Sequence, residues 1–600
     1  MKVKICAVNS KFIHSNPAVH SLACYCRQLW EDMPNDTGTN NTGIKIEVCE
    51  FTVNDVYKNV LFSILSGKPQ IIAFSVYIWN VDFIAALCGD IRKISPRAKI
   101  ILGGPEVSYY KDDTDFDTPF RGDIYDYIIA GEGERAFFCL VSEICGNSGN
   151  SGKSEISEIF GKFGYRKSGK KITCDKITNL AEIPFVYAQT DLNLFKDKII
   201  YYESSRGCPF SCSYCLSARS GQVRLLPLER VYSDVGFFLR EERVTQVKFV
   251  DRTFNGERNR AYAIFEYIIN NSRVPKPVGR WLAPAANAAF NGGGKPPPYD
   301  SGINFHFEIC ADLLDGRTVN LLSEAEPGLI QFEIGIQTTN KKSLEMCARK
   351  TDTEKCFENI RLLMKNKNIN IHVDLIAGLP EDTPGDFKDA FNQVYNLKAH
   401  RFQLGFLKLL RGAPLNNQVE QYGYKFSDTP PYEILANNNM THEDLAVLHG
   451  VEIALNKFYN SGKFEASLNY CVDFFESPFD FYSRLSSCML NNDRLYRAVS
   501  LDNLYNILID FAGGQSPAPH NNIDVRALKE LLLLDYHSGD KRDKPPQTLR
   551  DIWSPYKSYK ETAKNTEPAG LTMRKIGNKY YYFDYGRKNP VTNKYDIAQG

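Results

Sequence analysis

Three cysteines, Cys208, Cys212 and Cys215, fall within eight residues of one another in the run Arg206-Gly207-Cys208-Pro209-Phe210-Ser211-Cys212-Ser213-Tyr214-Cys215. Thiolate sulfur is a soft donor that suits iron, and loops this short let three side chains wrap one face of an iron-sulfur cluster. Three protein ligands for four irons leave one iron open to a ligand that binds through nitrogen and oxygen. A zinc site wants a fourth protein ligand in a similar hairpin, and the twenty residues after Cys215 contain no Cys or His. Structural thiols at this spacing by coincidence are the remaining alternative.

The elements that must position this loop come next. A strand at 198–203 runs straight into it, and five further strands are predicted at 246–250, 304–309, 331–336, 370–376 and 401–406. Helical stretches such as 228–240 and 353–365 separate them. Six alternating units indicate a partial (β/α)6 barrel with its site at the carboxyl ends of the strands, where Asp251, Asn255, Glu308, Glu333, Gly335, Gln337, Asp374 and Gly378 stand. For Asp251 or Asn255 the competing role is a helix N-cap.

Upstream, apolar β-rich runs at 3–9, 44–51, 71–75, 99–102 and 127–129 alternate with helical segments, which predicts a doubly wound parallel sheet. Their following loops begin at Asn9, Ser75, Gly103-Gly104-Pro105 and Gly131-Glu132-Gly133-Glu134, all at one edge. Where strand order reverses, that edge accepts a flat cofactor between its loops. Gly104 is expected to let such a cofactor approach the backbone, although a glycine pair after a strand also makes an ordinary turn.

The fold class is therefore α/β: a cofactor-type sheet at 1–145, a linker and connector at 146–197, the barrel at 198–420, and a mostly helical C-terminal domain at 421–600. The Gly/Ser-rich run 146–154 reads as flexible linker, and 164–175 as a small hairpin. Residues 275–302, with Gly292-Gly293-Gly294-Lys295-Pro296-Pro297-Pro298, read as a loop inserted in the barrel, either a lid or a surface insertion. Helices are expected at 441–461 and 525–534, and a tyrosine-rich hairpin at 573–585. Those tyrosines could stack on nucleic-acid bases, but no basic cluster accompanies them and a half-buried strand is preferred.

Composition narrows the field. The 600 residues carry 72 Lys+Arg against 71 Asp+Glu, a net charge of +1, with 43% hydrophobic and 24% charged residues. That describes an ordinary globular protein without the basic field of a nucleic-acid binder or a polybasic membrane protein. The first residues run directly into a strand without a secretory pattern, so a cytoplasmic location is expected. The longest apolar stretch, 71–91, is broken by Asn80, Asp82 and Asp90, and predicts a strand and helix, not a membrane span. Most of the 16 cysteines read as small core hydrophobes.

Spacing, the Gly-Cys-Pro lead-in and the aromatic before the third cysteine resemble the radical S-adenosylmethionine superfamily. Ile-Leu-Gly-Gly-Pro-Glu at 101–106 and Asp-Tyr-Ile-Ile-Ala-Gly-Glu-Gly-Glu at 126–134 resemble the cobalamin-binding domains that precede such barrels. The resemblance implies that Cys208, Cys212 and Cys215 hold a [4Fe-4S] cluster whose open iron chelates S-adenosylmethionine, with Tyr214 along the adenine. The run 332–338 resembles the strand contacting ribose and methionine, through Glu333 and Gln337. The run 374–380 resembles the one that closes over the adenine at Gly378. Val250-Asp251-Arg252-Thr253-Phe254-Asn255 matches the Asp-x-x-Phe-Asn variant of cobalamin-linked relatives, making Asp251 a candidate for the methionine amine. Ser75, Gly103, Gly104 and Gly131 would line the cobalamin. The Asp-x-His-x-x-Gly signature of an axial histidine is absent from the chain, so cobalamin is expected without a protein histidine on cobalt. His14 and His20 read as core or surface residues.

The implied activity is reductive cleavage of S-adenosylmethionine followed by methylation of an unreactive carbon or phosphorus of a small or otherwise unknown substrate. A flavodoxin or ferredoxin would serve as electron donor. A transfer-RNA methylthiotransferase shares the barrel but should carry a second three-cysteine cluster, which Cys6, Cys24, Cys26, Cys49, Cys88, Cys139 and Cys145 only loosely permit. A cobalamin- or redox-sensing protein without turnover is the other alternative.

Overall fold

The computed structural model describes residues 1–31, 43–110, 119–146, 153–219, 221–272, 302–514, 523–542, 544–553 and 571–599. Most of the predicted linker and insertion, at 147–152 and 273–301, lies outside the described residues. Two units emerge: residues 1–252 with 408–418 and 426–433, and residues 253–407 with 419–425 and 434–600.

In the first unit, β1 (Lys2–Asn9), β2 (Lys45–Thr52), β3 (Ile71–Ser75), β4 (Lys99–Gly103), β5 (Tyr127–Ile129), β6 (Arg166–Ser168) and β7 (Lys171–Thr173) form one sheet. Its order is β2-β1-β3-β4-β5-β7-β6, parallel throughout except for the β6–β7 hairpin, which the sequence predicts and which here extends the sheet. All five residues of β3 are buried, as a parallel strand covered on both faces requires. The helices α1 (Pro17–Glu31), α2 (Tyr57–Leu65), α3 (Val81–Ile94) and α4 (Gly133–Gly146) alternate with these strands. α3 buries Val81, Ile84, Ala85, Cys88 and Ile91, an apolar stripe at helical spacing. Strand order reverses between β1 and β3, which places the switch point at the loops after Asn9 and Ser75.

The same unit holds β8 (Ile200–Tyr202), β9 (Ser205–Arg206), β10 (Arg224–Leu225) and β11 (Gln246–Phe249). β8 runs parallel to β11, and the antiparallel pair β9–β10 brackets the cysteine loop. The unit boundary after Arg252 falls inside the predicted 198–420 barrel. The connector explains why β8 and β11 stay with the first unit: the Tyr187 hydroxyl donates to the Tyr201 carbonyl at 2.6 Å, and Phe185 packs edge-on against Tyr202 and Phe238.

In the second unit β12 (Asn304–Ile309), β13 (Ile330–Gln337), β14 (Asn370–Ala377) and β15 (Arg401–Phe406) are successive parallel neighbours. Phe305, Phe307, Phe332, Ile334, Ile371 and Val373 point to one face and are fully buried. The short strands β16 (Lys425–Phe426) and β17 (Ile434–Ala436) lead into the C-terminal helices. His442–Lys457 starts on a capping box in which Thr441 accepts from the Asp444 amide and Asp444 accepts from the Thr441 amide. β18 (Thr572–Ile576), β19 (Lys579–Lys588) and β20 (Tyr595–Gln599) make an antiparallel sheet, one strand more than the predicted hairpin. Among the described residues no helix is long and apolar enough to cross a membrane.

Candidate cofactor and active site

The cysteine loop is held from three sides. Gly207 has φ +110°, and a β-carbon there would lie 3.2 Å from the Gln222 carbonyl oxygen and the Val223 Cα, so the loop closes on β10 only with glycine. The Cys215 amide donates to the Cys212 carbonyl at 3.0 Å, forming the turn between the last two thiols. The Leu415 amide donates to the Ser213 carbonyl at 2.8 Å. Cys212 is buried, whereas Cys208 and Cys215 are partly exposed.

A cluster suits this donor set. The Ser213 Oγ is buried without a partner among the described residues, an orphan hydroxyl beside Cys212 that a sulfide would satisfy. No three His, Cys, Asp or Glu side chains among the described residues converge on a single-ion site. A cubane does not ask for that convergence, because each thiolate takes a different iron.

Arg206, two residues before Cys208, carries an ion network that the sequence reading did not single out. Its guanidinium meets Glu134 at 2.5 Å, Glu203 at 2.8 Å and Glu132 at 3.3 Å. Glu132 also receives Arg224, from the other strand of the bracket. Glu132 and Glu134 come from the loop after β5 and the first turn of α4, where the helix dipole favours a carboxylate. Burial would raise the Glu134 carboxyl, but the Arg206 charge outweighs it and the net shift is downward. Burial likewise raises Glu203, which stays above the ordinary carboxylate range. The cysteine loop is thus pinned to the carboxyl edge of the N-terminal sheet by buried charge.

Asp251 and Asn255 are both almost fully buried and hold backbone in place. The Asp251 carboxylate accepts from the Ser204 amide at 2.9 Å and from the Ser204 and Ser205 hydroxyls at 2.6 Å, bracing the strand that feeds the cysteine loop. Asn255 exchanges two hydrogen bonds with the Cys310 backbone, at 2.7 and 2.9 Å, and so fixes the end of β12. Neither is a helix N-cap.

Period-two alternation places His306 and Glu308 of β12, Gln331, Glu333, Gly335 and Gln337 of β13, His372 and Asp374 of β14, and Arg401 and Gln403 of β15 on the face opposite the phenylalanines. Parallel strands covered on both faces are normally apolar throughout. Glu308 and Glu333 are register partners, Glu333 meets His306 at 3.2 Å, and Gln331 meets His372 at 3.3 Å. At the carboxyl end of β13, Gln337 has φ +73° beside a register shift, and its buried Oε1 has no partner among the described residues. Strain and an unsatisfied oxygen in a strand end are features of ligand sites. A β-carbon on Gly335 would collide with Gln337 Nε2 at 2.1 Å, so the glycine gives that side chain its room. Gly378, at the end of β14, has φ +84°.

At the edge of the N-terminal sheet, Gly131 has φ +86° and faces open space, while Ser75 is buried against Asn16. Gly104 differs from expectation. With φ +113°, its β-carbon would lie 2.5 Å from the Val76 carbonyl oxygen and 2.9 Å from the Val76 nitrogen. Packing of one loop on another requires this glycine, whatever binds nearby. A β-carbon on Gly103 would meet only Ile129, at 3.9 Å. The sequence reading missed Tyr77 and Trp79, which stack at 4.3 Å and 11° in the loop after β3 with Trp79 exposed; two aromatics in a strand-end loop were the available signal.

Comparison with known proteins matches the B12 binding domain over residues 5–140 and the radical SAM superfamily over residues 202–394. The chain thus carries a B12-binding-type domain followed by a radical SAM-type domain. Residues 420–581 match DUF4080, a protein family of unknown function. This radical SAM protein is 23% identical over 389 residues to the 2-(S-pantetheinyl)-carbapenam-3-carboxylate methyltransferase of Streptantibioticus cattleyicolor, covering 60% of the chain and 50% of that protein. It is 23% identical over 526 residues to the cobalamin-dependent radical SAM methyltransferase TokK of Streptomyces tokunonensis, covering 81% and 70%. The chain therefore spans about half the length of the first of these relatives. The structure of the cobalamin-dependent S-adenosylmethionine radical enzyme OxsB, with aqua-cobalamin and S-adenosylmethionine bound, aligns with TM-score 0.54 at 12% identity over 94% of this chain and 82% of that one, a likeness of fold.

Both N-terminal histidines of this radical SAM protein are engaged: His20 Nε2 with Glu50 at 2.7 Å, and His14 Nδ1 with the Tyr201 hydroxyl at 2.6 Å. Of the N-terminal cysteines, Cys6, Cys24, Cys26, Cys88 and Cys139 are buried. Burial pushes the Cys26 and Cys88 thiols up. They form no second ligand set among the described residues, and the methylthiotransferase alternative is not favoured.

Proposed function

We propose that the protein is a cobalamin-dependent radical S-adenosylmethionine methyltransferase acting on a small molecule. The observation that carries this reading is the Arg206 network, which joins the loop of Cys208, Cys212 and Cys215 to the cobalamin-type sheet within one unit. When bound, the cluster and S-adenosylmethionine supply one-electron carbon-sulfur cleavage, and cobalamin supplies a transferable methyl group.

The protein's own groups bind and orient. Cys208, Cys212 and Cys215 would hold three irons, with the Ser213 hydroxyl beside them. Gln337 Oε1, Glu308, Glu333, Gly378 and Tyr214 would receive S-adenosylmethionine. Asp251 and Asn255 act through the backbone they brace. Ser75, Gly103 and Gly131 would meet cobalamin, Gly104 shaping that edge from within. The polar row through His306, His372 and Asp374 would orient the substrate.

A chain of 16 cysteines built around an oxygen-labile cluster supports a reducing cytoplasm, with a flavodoxin or ferredoxin as electron donor. Near-neutral charge supports a substrate other than nucleic acid. Anaerobic reconstitution followed by iron, sulfide and cobalt analysis tests the reading. Four irons, four sulfides and one cobalt per chain are expected, and a chain that takes up cobalt but no iron would defeat it.

A further inference from the structure

Gly378 ends β14 on a strand whose inward side chains are His372 and Asp374, at the carboxyl edge where parallel strands present ligands. Its carbonyl oxygen accepts two hydrogen bonds, both from the DUF4080 region: the Tyr424 hydroxyl at 3.0 Å and Asn437 Nδ2 at 3.1 Å. A carbonyl oxygen has two lone pairs, and both are used. A β-carbon on Gly378 would lie 1.9 Å from Ile434 Cδ1, so Ile434 occupies the space that only glycine leaves. Tyr424 and Ile434 are themselves almost fully buried.

The segment carrying these groups is tied to itself. Asn437 Oδ1 accepts from the Asn439 and Met440 amides, at 2.9 and 2.7 Å, and the Asn438 amide donates to the Tyr422 carbonyl at 3.0 Å. The Ile434 amide donates to the Leu407 carbonyl at 3.1 Å, and the Leu407 amide to the Ala377 carbonyl at 3.0 Å. The C-terminal region thus grips the last turn of β14 through both backbone and side chains.

We infer that the DUF4080 region positions the nucleoside end of S-adenosylmethionine, by fixing the peptide between Gly378 and Leu379. In a trans peptide the carbonyl and the following N–H point opposite ways. Holding the Gly378 carbonyl toward Tyr424 and Asn437 therefore turns the Leu379 N–H to the other side of the loop. The inference rests on the proposed reading that this loop receives the cofactor. Tyr424 and Asn437 are positioning residues, because they act through Gly378.

The test uses the full chain with its cluster loaded under anaerobic conditions, and titration calorimetry with two probes. S-adenosylhomocysteine carries both the amino-acid and nucleoside ends, whereas L-methionine carries only the first. In Tyr424→Phe, which loses one donor, and Asn437→Asp, which keeps the turn but replaces the donor by an acceptor, the Kd for S-adenosylhomocysteine should rise about tenfold. The Kd for L-methionine should stay unchanged, the melting temperature should fall by no more than the few degrees that one lost hydrogen bond is worth, and hydrogen exchange at Leu379 should quicken. An unchanged S-adenosylhomocysteine Kd, or equal losses for both probes, overturns the inference. If wild-type protein loads four irons yet does not bind S-adenosylhomocysteine, the reading of the loop falls and the inference with it.

Discussion

Replacing Glu134 by Gln keeps its size and removes one of the charges that Arg206 is buried against. The pair meets at 2.5 Å, with side chains 15% and 6% exposed for Arg206 and Glu134. Removing one partner of a buried ion pair costs about 3–5 kcal/mol, because the other charge is left uncompensated. Arg206 keeps Glu203 at 2.8 Å and Glu132 at 3.3 Å, which places the cost at the lower end, about 3 kcal/mol. In a unit of this size each kcal/mol lowers the melting temperature by about 2 °C, so a fall of about 6 °C is expected in anaerobic calorimetry. Iron retention should fall with it, since Arg206 sits two residues before Cys208. Arg206→Gln should also destabilise, and the double variant should lose less than the sum of the two, because residues in one ion network couple. Additive losses, or a melting temperature within 1 °C of wild type for Glu134→Gln, would refute the view that this network pins the cysteine loop.

Three further expectations follow from particular groups. Gly104→Val forces a β-branched residue to φ +113° with its β-carbon 2.5 Å from the Val76 carbonyl oxygen; it should destabilise the N-terminal sheet by more than about 2 kcal/mol in thermal denaturation, whether or not cobalamin is present. The Asp382 carboxyl, fully buried beside the Thr338 hydroxyl, is raised by burial from 3.8 to about 7. An unfolded chain ionises this group near pH 4 and the folded one only near pH 7. Its contribution is intact below pH 4 and is lost as pH rises toward 7, a loss of order 4 kcal/mol. Asp382→Asn should therefore raise the melting temperature at pH 8 and leave it unchanged near pH 4; equal effects at both values would contradict the burial argument. Electron paramagnetic resonance of the cob(II)alamin form should show no nitrogen splitting, since the Asp-x-His-x-x-Gly signature of an axial histidine is absent from the sequence; resolved splitting from a histidine would remove the claim.

The strands that carry the site were legible because their apolar runs are short and bounded by turn residues. β3, β5, β12 and β15 coincide with their predicted limits. β8 is shorter than predicted, Ile200–Tyr202, because the chain already turns at Glu203 to feed the cysteine bracket. The cysteine loop was legible from spacing alone, since all its ligands are local in sequence. What escaped was non-local. Gly131-Glu132-Gly133-Glu134 reads as a turn, and nothing in its neighbourhood says that its carboxylates meet an arginine 72 residues away. Gly104 escaped for a related reason: its φ and its contact with Val76 depend on two loops meeting. The polar row was present as His-x-Glu in β12, Gln-x-Glu in β13 and His-x-Asp in β14, an alternation at odds with covered parallel strands.

The most direct measurement is 5′-deoxyadenosine formation by anaerobically reconstituted protein given reductant and S-adenosylmethionine. Wild-type protein should release it. Cys208→Ala, Cys212→Ala and Cys215→Ala should each abolish it while the circular dichroism spectrum stays that of wild type. A triple Ala variant that still bound four irons and still produced 5′-deoxyadenosine would contradict the account at its centre.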